Sequence, residues 1–436
     1  MWIGTLCALC VGPLKAENPI VQTSYTADAA SLVYKGRFYV YVGRDEASPT
    51  GRWFSMREWR VYSSADMVNW TDHGPVLRTT DFSWSSGDAW ASQCVYDKGK
   101  FYWYISTSHK TKGGKAVGVA VGDSPLGPFK DLRGEALITT DMTPKQGDFD
   151  DIDPTVYIDP KGQAYMYWGN GKCKYVKLTD DRMHFSGNIE YAAVPKFGEA
   201  PWLQQINRKY YLSYSSSSPS TIEYCTGDSP VGPWTYENRI LNVVENCPTS
   251  HQAISFFKGH WYLVYHNGAL PGGNGFRRSV CIDEFVLGSD GKIPLVTPTR
   301  EGVKPVGQLN PFTRVEAETM AWSVGLETAT DGANGVYLTA IHASDYLKLR
   351  SVNFKKNPSA FVANVASQTQ GGSIELHVDA LDGPLLGTCL VPDTQGPLAW
   401  RDVTCPVTPV KGVHDLYLVF KGGEGPLFQF NYWKFK

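Results

Sequence analysis

Four ionisable side chains stand in register along this chain. Asp28 lies 11 residues before Tyr39, Asp153 lies 12 before Tyr165, Glu199 lies 12 before Tyr211 and His251 lies 11 before Tyr262. A fifth tyrosine, Tyr102, has Trp90-Ala91 at the matching place. One acidic residue ahead of a hairpin is an ordinary turn former; four ionisable groups at one position of a repeat need another explanation. Their neighbours are apolar as well: Ala27 and Ala29, Ile152 and Pro154, Ala200 and Pro201. A carboxyl sheltered in that way has a raised pKa, and such shifts cluster at functional sites.

Two kinds of chemistry use clustered carboxyls. Calcium takes several carboxylate and carbonyl oxygens, usually from one loop. Cleavage of a glycosidic bond needs one carboxylic acid kept protonated for the leaving oxygen, and one ionised carboxylate to activate water or attack. Environments that separate the two pKa values assign the roles, and a third carboxylate can supply part of the push. Glu199, within Gly-Glu-Ala-Pro-Trp and one methylene longer than aspartate, suits the acid. Asp28 suits the base, and Asp153, in DDIDPTVYID, suits an orienting and pKa-setting role. No nucleophile elbow, H-E-x-x-H, Walker A or dinucleotide fingerprint in its strand–helix context competes with this reading.

The elements that must position these groups are also repeated. VYKGRFYVYVG (33–43), VYDKGKFYWYIS (95–106), YIDPKGQAYMYWG (157–169), QQINRKYYLSYS (204–215) and FFKGHWYLVYHN (256–267) each join a polar turn to an alternating aromatic strand. That is a β-hairpin entering a half-buried strand. The anchoring tyrosines are 63, 63, 46 and 51 residues apart, which suits one four-stranded blade per repeat. DSPLGPF (123–129) and DSPVGPW (228–234) are near copies, and SADMVNWTDHGP (64–75) fills a comparable place. Residues 18–302 are therefore expected to form an all-β, five-bladed β-propeller. The first strand of each blade lines the central channel, so groups in register at its start converge on one axis.

Bulk properties agree with a two-domain soluble protein. The chain has 436 residues and is 42% hydrophobic, and its net charge of −2 gives no electrostatic case for nucleic acid or anionic membrane. The 14 Trp and 24 Tyr fit sheet cores and sugar platforms alike. Residues 1–17 read as an apolar leader too short to span a bilayer, so a secreted or periplasmic location is expected, with no membrane span. Cys7 and Cys10 fall in that leader; Cys389 and Cys405 are placed for a disulfide between neighbouring strands.

The ordered motifs DMVNWTDHGP, AWASQ (89–93), DSPLGPF, DIDPTVYID, YWGNG (167–171), GEAPWL and NGALPGGNGFRRSVCIDEF (267–285) resemble glycoside hydrolase family 43, in its β-xylosidase and α-L-arabinofuranosidase members. The resemblance runs from Asn18 to about Gly302. It implies a five-bladed propeller that hydrolyses with inversion. Carried over, Asp28 is the general base, Glu199 the general acid, and Asp153 the third carboxylate. His251 matches an axial histidine beside which some members hold calcium. Arg278, in RRSVC, matches a sugar-contacting arginine, and Trp90 is expected to stack on a sugar face. Inversion implies carboxyls of Asp28 and Glu199 about 6.5–9.5 Å apart. Two departures stand out: Ala29 follows Asp28 where proline is usual, and Arg44-Asp45-Glu46 replaces His-Asp-Glu. Arg44 and Asp45 are accordingly expected at the cavity edge, in contact with substrate.

Residues 303–313 lie in a Pro- and Gly-rich linker, and residues 314–436 alternate like the strands of a β-sandwich of jelly-roll type. This part resembles carbohydrate-binding module family 6, which implies a structural calcium with Glu316 and Glu318 as candidates. Its usual Gly-Trp pair reads Gly396-Pro397, with Trp400 kept, and the expected asparagine reads Gln429. A structural or weakly binding module follows, with Tyr337 a poor platform alone. The expected substrate is a plant cell-wall oligo- or polysaccharide, xylan or arabinoxylan, with no protein partner and no organic cofactor. Arabinan or galactan as substrate, or a non-catalytic sugar-binding propeller, are the competing readings.

Overall fold

The structure, a computed structural model, describes residues 17–218 and 220–436. The expected leader lies outside the described residues except for Glu17. Glu17 belongs to the folded chain: it is buried, accepts from Lys348 Nζ at 3.1 Å and pairs with Arg350. No α-helix occurs among the described residues, and no helix is long and apolar enough to cross a membrane.

Five sheets form the propeller. Their innermost strands are Tyr25–Tyr34, Ser85–Asp97, Thr155–Ile158, Phe197–Ile206 and Ala253–Phe257, each pairing antiparallel with the next strand in sequence. Four of the inner hairpins turn through two residues with positive φ: Lys35-Gly36, Lys98-Gly99, Asn207-Arg208 and Lys258-Gly259. Such turns match the twist of the flanking strands, and the Lys-Gly pairs are their sequence signal. The fifth blade has three strands. The chain start lies along its outer strand: Ile20 N donates to Val280 O, and Asn18 Oδ1 accepts from Ile282 N.

Two sheets, of six and five strands, make the second domain, packed around a core that includes Leu338, Leu349, Phe361, Leu418 and Trp433. Cys389 and Cys405 lie in this core as free thiols, in place of the expected disulfide. Burial makes each of them a small apolar packing group.

The two domains share a sheet. Thr319–Met320 adds a fifth strand to the outer edge of blade one, with Thr319 opposite Thr71 and Met320 opposite Trp70. Asn69 and Arg350 exchange two hydrogen bonds of 2.8 Å, and Arg60 Nη1 donates to Thr328 at 3.2 Å. The linker is pinned too, since Val306 N donates to Asp66 O and Leu309 N to Ser351 O. The seam between the domains is therefore a fixed wall.

Candidate active site

A repeated distortion aims the site. Within or beside the innermost strands, Asp28, Asp88, Asp153 and Ala200 all have positive φ, between 53° and 69°. Pairing slips at the same places, between Ala27 and Ala30, between Gly87 and Ser92, and between Phe197 and Trp202. A bulge bends a strand and redirects a side chain. A non-glycine residue in this region costs about 1–2 kcal/mol, and such strain concentrates at functional sites. Here it turns the carboxyls of successive blades towards the axis.

They meet in one pit of about 130 Å3, lined by Asp28, Asp153, Glu199, His251 and Arg278 and walled by aromatic rings. That is far below the roughly 300–1,000 Å3 of ordinary ligand pockets, so the pit suits a single sugar ring. Trp53, Phe54 and Met56 enter it from the 44–59 segment, and Phe149 from the loop ahead of blade three. Phe54 packs on Trp90 and Phe276 at centroid distances of 5.7 and 4.9 Å. One face of Trp90 is taken by Lys115 Nζ, 3.4 Å from the ring centroid, so at most one face is left for a sugar. Trp90 Nε1 is buried without a partner, a free donor in the wall.

Asp28 is held ionised. Burial alone would raise its pKa, but Arg278 Nη1 sits 2.8 Å from Oδ1 and holds the group below the usual range. His266, absent from the sequence expectations, also faces it. Burial drives this imidazole down to about 3, so it is neutral and accepts the Asp28 N–H through Nδ1 at 3.3 Å. His251 is buried in the wall and likewise lowered by burial.

Glu199 is the opposite case. Burial, and then the charge of Asp28, raise its pKa to about 7 against the opposing donation from Asn170 Nδ2 at 2.8 Å. Asp153 is raised by burial and by the charges of Glu199 and Asp28, while its Oδ2 accepts from Ala200 N at 3.0 Å. The sequence expectation divides the push on Glu199 between its apolar setting and Asp153. In the structure burial is its main cause, and repulsion between the two carboxyls lets the pair keep a proton near neutrality.

Two expected substrate contacts are misplaced. Asp45 does not line the pit: it is 3% exposed and grips Arg278 by Nε at 2.9 Å, Nη2 at 3.0 Å and the backbone N–H at 2.8 Å. It positions the arginine that holds Asp28. Arg44 turns away from the carboxyls to Glu58 at 3.2 Å and lines a neighbouring cavity. Both pair ahead of the bulge that turns Asp28 inward, Arg44 opposite Thr26 and Asp45 opposite Tyr25. Sequence reasoning missed Asn170 and His266. Asn170 lay in the YWGNG motif without a role, and His266, a strand residue far from Asp28 in sequence, gave no signal.

The calcium expectations divide. Among the described residues no group of three His, Cys, Asp or Glu could hold a metal ion. Beside His251, the expected axial ligand, the Asp28 carboxylate is taken up by Arg278 at 2.8 Å. In the second domain Glu316 is tied to Arg314 at 2.8 Å. Glu318 Oε2 and Asn431 Oδ1 are buried without partners, on segments joined by the Ala317 N to Asn431 O hydrogen bond. Those oxygens are of the type calcium takes.

Residues 16–293 match "Glycosyl hydrolases family 43", and residues 316–436 match "Carbohydrate binding module (family 6)". An arabinoxylan arabinofuranohydrolase of Bacillus subtilis is 34% identical over 96% of this chain and 92% of its own length. A xylosidase/arabinosidase of Humicola insolens is 32% identical over 64% of this chain and 99% of its own. The crystal structure of a Bacillus subtilis family 43 arabinoxylan arabinofuranohydrolase, in complex with cellotetraose, superposes with a TM-score of 0.86 at 32% identity, covering 97% of this chain and 98% of that one. With its three carboxyls gathered on the propeller axis, the chain belongs to glycosyl hydrolase family 43 and is a glycoside hydrolase.

Proposed function

We propose that the enzyme removes single pentose units, arabinofuranose above all, from arabinoxylan or its oligosaccharides, with inversion. The observation that carries this is a one-ring pit holding an ionised Asp28 and a protonated Glu199. Two relatives that match 96% of this chain are named arabinoxylan arabinofuranohydrolases, which favours arabinofuranose over xylose. Asp28, ionised by Arg278, takes a proton from water as the water attacks the anomeric carbon. Glu199 gives its proton to the leaving oxygen. Asp153 orients the acid and restrains its ionisation, and Asn170 fixes the Glu199 oxygen. Binding alone would need no such separation of pKa values.

The test compares wild type with Glu199→Gln on aryl α-arabinofuranoside, aryl β-xyloside and arabinoxylan. Wild type should release arabinose fastest, with kcat/KM falling as pH rises through about 7, where the acid loses its proton. The variant should lose about 10²–10⁴-fold on arabinoxylan. No pentose from wild type, or an unaffected variant, would refute the assignment. For calcium we propose only the second-domain site, with Glu318 and Asn431 as ligands. Added calcium should then raise the melting temperature and a chelator reverse it, an effect absent from Glu318→Gln; an equal shift in that variant would remove the site.

A further inference from the structure

A second cavity, of about 380 Å3, opens at the domain seam. Tyr25, Arg44 and Arg277 line it from the propeller, and Glu327 and Thr328 from the second domain. Its size falls in the range of true ligand sites. It adjoins the catalytic pit: Arg277 precedes Arg278, and Tyr25 is three residues from Asp28, at most about 11 Å of extended chain.

Arg277 is the unusual group there. Its neighbour Arg278 meets carboxylate oxygens of both Asp28 and Asp45. Among the described residues the Arg277 side chain has no carboxylate partner. Its guanidinium carbon lies 4.2 Å over the ring of Tyr25, and Nε is buried without a hydrogen bond. Stacking fixes the plane of the group and leaves its edge donors unmet, an arrangement suited to bidentate capture of a carboxylate. Arg44, 37% exposed by its side chain, adds a second cation whose contacts to Glu58 and Glu46 are 3.2 and 3.9 Å. The opposing charges are placed less favourably. Three carboxylates share the cavity: Asp45 is already neutralised by Arg278, Glu46 lies 3.9 Å from Arg44 Nη1, and Glu327 is exposed on the rim, where solvent and salt screen it. Thr328 and Ser24 supply hydroxyls at the cavity wall.

We propose that the seam cavity binds the carboxylate of a uronic acid carried on the xylan chain, with Arg277 as the fork and Arg44 as a second cation, so that the enzyme favours chains bearing acidic substituents near the bond it cuts. This rests on the catalytic reading above for the chain's identity, and its test is separate. Full-length Glu199→Gln is titrated calorimetrically with a xylo-oligosaccharide bearing glucuronic acid, with the same compound carboxyl-reduced, and with an oligogalacturonide. A charge-assisted bidentate contact is worth about tenfold or more in affinity. The acidic xylan should therefore bind about tenfold tighter than its reduced form at low salt. The preference should shrink in high salt and vanish when Arg277→Met is added, and Arg277→Lys should restore part of it. Should Arg277→Met not fold, Arg44→Gln should still weaken the preference about threefold. Equal binding of acidic and reduced chains, or a preference that survives Arg277→Met, would overturn the proposal. Tighter binding of the oligogalacturonide than of the acidic xylan would overturn xylan as the source of the carboxylate. Wild-type release of pentose from neutral arabinoxylan tests the catalytic reading by itself.

Discussion

Trp90 and Trp400 are both half-buried indoles packed on a second ring, Phe149 for one and Tyr337 for the other, each at a centroid distance of 5.3 Å. The resemblance ends there. Around Trp90 the rings of Trp53, Phe54 and Phe149 form the wall of a pit whose floor is charged. Around Trp400 the tyrosine meets the indole edge-on at 72°, and Tyr337 is only 9% exposed. Gln429, in the amide orientation that satisfies both of its ends, donates to Ala366 O and to Pro397 O. The two departures from the binding-module pattern thus meet through this hydrogen bond. Aromatic content alone does not make a sugar site. What separates the two regions is whether the rings wall a pit floored by polar groups that a sugar can use.

The charged floor gives the largest expected effect. Glu199 ionises near pH 7 in the folded protein, against an ordinary value of 4.5. Between those values the folded state keeps a proton that the unfolded state has lost, so stability falls as pH rises through this window. The full shift corresponds to up to about 3 kcal/mol above pH 7, less where water in the pit screens the charge. Glu199→Gln has no proton to lose. Its stability relative to wild type should climb between pH 5 and pH 8 in urea unfolding, and a difference independent of pH would mean that Glu199 is not sheltered.

Trp90→Ala comes next. Losing the ring removes wall area, the unpartnered Nε1–H and the surface over which Lys115 lies. A loss of about 2 kcal/mol of transition-state binding, roughly 30-fold in kcat/KM, is expected. If the loss fell in kcat with KM unchanged, Trp90 would act by shaping the carboxyl array and not by holding the sugar.

The repeat made the propeller legible, because turn chemistry and aromatic alternation recur at each hairpin and local sequence decides both. The convergence of Asp28, Asp153 and Glu199 was legible for the same reason: equal positions in equal blades share an axis. Partners across the channel were not. His266 and Asn170 reach the carboxyls through strand geometry that spacing does not encode, and Asp45 is expected at the substrate from the resemblance of its motif, which does not show that its carboxylate is spent on Arg278. Glu17 shows the same limit at the domain seam, since its partners Lys348 and Arg350 are more than 330 residues away in sequence.

The smallest expected effect is the sharpest test of the comparison. Trp400→Ala removes an edge-to-face pair worth about 0.5–1.5 kcal/mol, so the second domain should lose little stability. Because Tyr337 and Trp400 cover each other and Gln429 joins Pro397, the substitution exposes no platform and removes none in use. Retention of full-length Glu199→Gln on insoluble arabinoxylan should therefore be the same with Trp400 or with alanine. A fall in retention would show that the edge-on pair opens to grip sugar. The contrast with Trp90 would then reduce to the presence of carboxyls, and the second domain would count as a binding surface in its own right. Unchanged retention together with the Trp90→Ala loss would leave a ring-walled pit with a charged floor as the feature that makes one indole functional and the other structural.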